Sequence, residues 1–114
     1  MTAPHDRPTA EELVAVVRQF LENEVLPATE GSVRFHTRVS VNALGIAERE
    51  MQLGPEHALA HAERLAHLGY SSDGELAAAI RAGELDDRWA EVKAAVTEAV
   101  RDKLLVANPD YLDR

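Results

Sequence analysis

Cysteine is absent from the 114 residues, which removes disulfides, thiol nucleophiles and thiolate metal sites together. Positive charge is scarce as well. Lysine and arginine number 12 against 20 aspartates and glutamates, a net charge of −8, and phosphate neutralisation on nucleic acid needs a dense basic face. The same balance disfavours an anionic membrane surface. No apolar run approaches the ~20 residues that span a bilayer, and the opening MTAPHDRPTA has no apolar core of a secretory signal. A cytoplasmic location is therefore expected. Period-2 alternation is missing, so strands are not expected. The glycines are isolated, which excludes a phosphate-cradling loop, and Ser40, Ser71 and Ser72 lack the strand–turn–helix setting of a nucleophile elbow. Neither autonomous catalysis nor a bound cofactor or metal is expected.

What remains is a chain rich in alanine, leucine, valine, glutamate and arginine, punctuated by helix caps. Thr9 and Glu12 have capping-box spacing, and Leu13, Val16, Val17, Phe20 and Leu21 give a first helix its apolar side, ended by Pro27. A second helix runs from Ser32 to Leu53. Gly54 is expected to stop it and Pro55 to open a third, which buries Leu59, Ala62, Leu65 and Ala66 and closes at Gly69. Ser72 with Glu75 caps a short fourth helix ended by Gly83. Asp86 or Asp87 is expected to cap a fifth, which aligns Trp89, Val92, Val96, Val100 and Leu104 and stops at Asn108-Pro109. The reading is an all-α, single-domain antiparallel bundle of about five helices. It covers residues 1–114, with 1–8 and 108–114 loosely held.

The second helix is the most informative segment. Wound at about 100° per residue, it places Arg34, Arg38, Asn42, Gly45 and Arg49 in one stripe, flanked by Phe35, Val39, Ala43, Ile46 and Leu53. Guanidinium groups present paired donors to carboxylates and phosphates. The stripe therefore reads as a partner interface, a small-anion site, or an internal or solvated network. A mid-helix glycine costs up to ~1 kcal/mol relative to alanine, so Gly45 points to a close approach within the stripe. Glu50 projects toward the apolar arc, where a carboxylate calls for a partner. Arg81, at the end of the fourth helix, is the candidate for a structural Glu50–Arg81 ion pair. His57 and His61 have the four-residue spacing of a metal chelate, but without a glutamate in the HExxH manner a solvated pair is the better reading. His36, beside Phe35, reads as an interior histidine or an interface residue, the former preferred.

Several stretches resemble a family of small bacterial helical proteins known as a domain of unknown function. They are Pro8-x-x-x-Glu12-Leu13-Val14, Val17-x-x-Phe20-Leu21-x-x-Glu24 and Pro27-x-x-x-Gly31. The most specific is Arg34-Phe35-His36-x-Arg38-Val39-x-x-Asn42-x-Leu44-x-Ile46-x-x-Arg49-Glu50. Ile80-Arg81-x-Gly83-x-x-Asp86 and Asn108-Pro109-Asp110-Tyr111 follow. That family includes LvaB-type accessory subunits of the levulinate-pathway hydroxyacyl-CoA kinase. Its members are typically encoded beside a kinase of the aminoglycoside-phosphotransferase type and an acyl-CoA dehydrogenase. The resemblance implies a non-catalytic subunit bound to such a kinase, the large subunit carrying the ATP chemistry on a hydroxyacyl-CoA. Two other readings stay open on the residues alone: a stand-alone module binding an anion or acyl-CoA through the arginine stripe, and a self-associating protein whose stripe is a homodimer interface.

Overall fold

The computed structural model describes residues 4–113, and every regular element among them is helical. Helix α1 spans Ala10–Phe20, α2 Gly31–Leu68, α3 Asp73–Arg81 and α4 Trp89–Ala107. The chain divides into two compact units, Met1–Leu53 and Gly54–Arg114. The expected break at Gly54-Pro55 is not a break in the helix: α2 runs through Pro55 for 38 residues. Pro55 lacks only the N–H that would reach the carbonyl of Met51, and helical winding carries on across that one missing bond. Three long helices and a short one therefore replace the expected five, and the boundary between units falls immediately before the proline.

In the first unit, Thr9 caps α1 in a complete capping box. Its hydroxyl accepts from the Glu12 amide at 3.2 Å, and the Glu12 carboxylate accepts from the Thr9 amide at 3.0 Å. The α-helix gives way at Leu21–Val25 to a π turn, closed by the Leu26 amide on the Leu21 carbonyl at 2.8 Å. The regular winding ends at Val25, while Leu26 beside Pro27 keeps right-handed helical angles (φ −57°, ψ −49°). Helix α1 and residues 31–53 of α2 run antiparallel. Arg18 bonds Glu48, and Gln52 donates to Glu11 at 2.6 Å.

The second unit holds the hydrophobic core, built from Leu65 and Leu68 of α2, Leu76 and Ala79 of α3, Leu85, and Val92 of α4. Val92 is the most enclosed, at 1% exposure. Tyr70, Ile80 and Ala95 pack around it. Glycines make the turns between these helices possible. Gly69 (φ +99°) ends α2, its amide donating to Ala66 and the Tyr70 amide reaching back to Leu65. Gly83 (φ +79°) ends α3 the same way, through Ile80 and Ala79. Each is the left-handed C′ residue of a Schellman turn, and a side chain at Gly83 would also press on the Asp86 carboxylate, 3.2 Å away.

Two expected caps differ in detail. Ser72 accepts from the Glu75 amide, but the Glu75 carboxylate turns to the Ser71 amide and hydroxyl instead of completing the box. Neither Asp86 nor Asp87 caps α4: a short 3₁₀ turn, Asp86–Arg88, leads straight into it. At the C-terminal end Pro109–Asp113 form a further 3₁₀ turn. Residues 1–3 and 114, expected to be loosely held, lie outside the described residues.

Candidate functional site

The first unit buries very little. Among its described residues only Thr37 and Val41 are buried, and both lie on one side of α2. Leu44 and Glu48 continue that side at helical spacing. Glu48 meets Arg18 of α1 there, with side chains 13% and 24% exposed. The Glu48 carboxylate pushes Arg18 above its ordinary pKa, chiefly by accepting its hydrogen bond.

The apolar residues expected to form the buried flank of α2 sit on the opposite side. Phe35 is 60% exposed, and Val39 and Ile46 are exposed with it. On α1 the apolar set is open too: Leu13, Val16, Val17 and Phe20 are each at least half exposed. Amphipathic patterning identified these residues correctly as apolar faces but could not say what covers them. The side of α2 that carries Thr37, Val41 and Glu48 is the buried one, and the Arg18–Glu48 pair ties it to α1.

The stripe divides along its length. Arg34, Arg38 and Asn42 are exposed, and the side chains of Arg34 and Arg38 make no hydrogen bond or ion pair among the described residues. Gly45 and Arg49 are partly buried. The close approach inferred at Gly45 comes from the same helix, because the Arg49 guanidinium lies 3.3 Å from where a Cβ would stand. His36 is exposed instead of interior and meets Phe35 edge-on at 5.3 Å between ring centroids. Glu50 is exposed as well, so the burial that called for an Arg81 partner is absent; Arg81, in the second unit, is also exposed.

In the second unit, the second half of α2 and α4 lie antiparallel, cross-linked along their length. His57 faces Asp102 at 3.7 Å, Arg64 pairs with Asp102 at 3.2 Å and Glu98 at 3.9 Å, and His67 faces Glu91 at 3.9 Å. Arg88 donates to the Leu68 carbonyl at 3.2 Å and to Glu91 at 2.9 Å. That bond holds the Glu91 carboxyl below the usual range. His61 turns instead to Asp73 at the start of α3, 2.8 Å away. The two histidines of the expected chelate spacing thus serve different carboxylates, and no group of metal-ligating side chains gathers among the described residues. Leu59, placed in the core by periodicity, is 64% exposed, and Trp89, Val96 and Val100 are open on α4.

Between α2 and α4 runs a groove of about 500 Å³ whose lining includes Ala60, Leu68, Ala94 and Ala95, with Arg64 at its side. The Arg64 Nε is buried without an acceptor among the described residues. Sequence reasoning missed both this groove and the Arg18–Glu48 pair. Residues 64 and 102 are far apart in the chain, and no local spacing announces their pairing. Glu48 could have been found by tracing a second face of α2 through Thr37, Val41 and Leu44.

Both units leave large apolar side chains exposed among the described residues. No helix among them is long and apolar enough to cross a membrane. No curated protein and no solved structure matches the chain. A family model does match, over residues 27–111, which includes all of α2, α3 and α4. The chain belongs to the family described as domain of unknown function DUF6285.

Proposed function

We propose that this protein is a non-catalytic accessory subunit of a bacterial cytoplasmic complex, binding a kinase of the aminoglycoside-phosphotransferase type that phosphorylates a hydroxyacyl-CoA. The observation that carries the reading is the open face of the first unit. Phe35, Val39 and Ile46 stand exposed beside Arg34 and Arg38, and α1 adds a second open apolar row. Covering one such side chain is worth about 1.5–3 kcal/mol. Arginines and aromatics beside each other are the residue types that dominate binding energy at protein interfaces. The identity of the partner rests on the LvaB-type resemblance. Its most specific stretch, Arg34 to Glu50, is also the one with Phe35, Arg38, Val39 and Asn42 turned outward. A requirement to fill the core of this unit does not account for those residues; a requirement to meet a partner does.

Co-expression with a phosphotransferase-type kinase from the same genome, gel filtration and an ATP-dependent assay on 4-hydroxyacyl-CoA test the reading. A stable complex whose turnover collapses without the small chain supports it. Separate elution with unchanged turnover overturns it. Heat on mixing the isolated protein with CoA, abolished by Arg38→Ala, would instead favour an anion-binding module.

A further inference from the structure

The α2–α4 groove lies wholly within the second unit, and its lining has a distinctive shape and charge. Its floor is small and apolar, supplied by Ala60 of α2 and by Ala94 and Ala95 of α4. Side chains this short let another backbone come close. The lining residues recur at three- and four-residue intervals on both helices, along about two turns or ~11 Å of each. Two antiparallel helices with such rows make a seat for a third helix laid along them, which would bury one apolar stripe.

The rim supplies the sign. Glu63, Glu91 and Glu98 line the groove, while the cation within it is Arg64, whose guanidinium is already committed to Asp102 and Glu98. Arg88 accounts for Glu91. Glu63 makes no ion pair among the described residues, and Glu98, 67% exposed, shares Arg64 with Asp102 at the longer distance of 3.9 Å against 3.2 Å, so both walls keep a net negative charge. His67, 79% exposed, adds a positive charge only when protonated. A phosphate or CoA-like anion would meet these carboxylates unfavourably, whereas lysine or arginine on both flanks of an apolar stripe would meet them in register.

We infer that the α2–α4 groove binds an amphipathic helix of a partner protein that carries basic residues on both sides of its apolar stripe. The site is independent of which protein covers the first unit, so the two readings can fail separately.

The test uses the full chain and two helix-stapled synthetic peptides with one leucine stripe, flanked in one by lysines and in the other by glutamates. Amide chemical shifts and calorimetry are recorded for each. The lysine peptide is expected to bind saturably, shifting Ala60, Ala94 and Ala95. The glutamate peptide is expected not to bind. Glu63→Lys with Glu98→Lys should weaken the lysine peptide by about tenfold or more, as should Ala94→Trp, which fills the seat. Far-UV circular dichroism would verify that each variant is folded. No binding by the lysine peptide, equal binding by both, or shifts confined to the first unit would overturn the inference. So would concentration-dependent shifts at the groove in the absence of peptide, which would make a second copy its occupant.

Discussion

The two units of the chain are made from the same kinds of residue and solve the burial problem differently. In the second, three helices converge on Leu65, Leu68, Leu76, Ala79, Leu85 and Val92, and the helix ends are sealed by Schellman turns. In the first, the part-buried Arg18–Glu48 pair joins α1 to residues 31–53 of α2, only Thr37 and Val41 are buried among the described residues, and many of the larger apolar side chains are exposed. Hydrophobic burial is the dominant favourable term in folding. A unit that leaves Leu13, Val16, Val17, Phe20 and Phe35 exposed has put its apolar surface where association can use it. On the proposed reading, the contrast separates a part that carries stability from a part that carries recognition.

Mutations should sharpen that division. The largest loss is expected in the second unit: Leu68→Ala removes a side chain only 4% exposed and should cost about 2–5 kcal/mol in chemical denaturation. Next comes the part-buried ion pair between α1 and α2 in the first unit. Glu48→Gln leaves Arg18 with a neutral partner in a part-buried site and should cost about 1–3 kcal/mol, restored in part by a compensating Arg18→Gln. Thr9→Ala, which removes the side-chain half of the capping box, should cost about 1 kcal/mol. Phe20→Ala and Phe35→Ala, for all their size, should change stability by less than about 0.5 kcal/mol, because both are exposed in the isolated chain. A loss of several kcal/mol at Phe35 would erase the comparison.

The smallest effect concerns acid. Arg7 and the Thr9 amide and hydroxyl hold the Glu12 carboxyl down to about 2, from an ordinary value of 4.5. A depressed carboxylate stabilises the fold fully above its unfolded pKa and loses that contribution as pH falls through the folded one. The capping contribution of Glu12 should therefore persist above pH 4.5 and fade toward pH 2. A side-chain carboxyl titration by NMR should show Glu12 ionising well below the ordinary glutamate range.

Helix existence and most helix ends were legible in the chain because caps, prolines and left-handed glycines act locally. Thr9, Ser72, Gly69 and Gly83 do in the structure what their neighbours imply. Pro55 misled because a proline forbids one hydrogen bond, not a helix, and flanking turns can carry the winding past it. The sides of the helices were harder. Periodicity shows that Phe35, Val39 and Ile46 share a face, but not whether that face meets the chain's own core or another molecule. Thr37 and Val41 occupy the side that is buried. The arginine stripe was visible as a pattern. Its division into an exposed part at Arg34 and Arg38 and a folded-back part at Arg49 over Gly45 depends on side-chain placement that spacing alone does not determine.

The most direct test of the central claim is a titration of the phosphotransferase-type kinase with this protein and with its Phe35→Ala, Arg38→Ala double variant, alongside melting curves of both. The account predicts that the variant melts with the parent yet binds the kinase at least ~30-fold more weakly, the loss that one or two interface anchors typically carry. Equal affinity for the two proteins, or a variant that binds weakly only because it has unfolded, would contradict the claim that the first unit is the recognition surface.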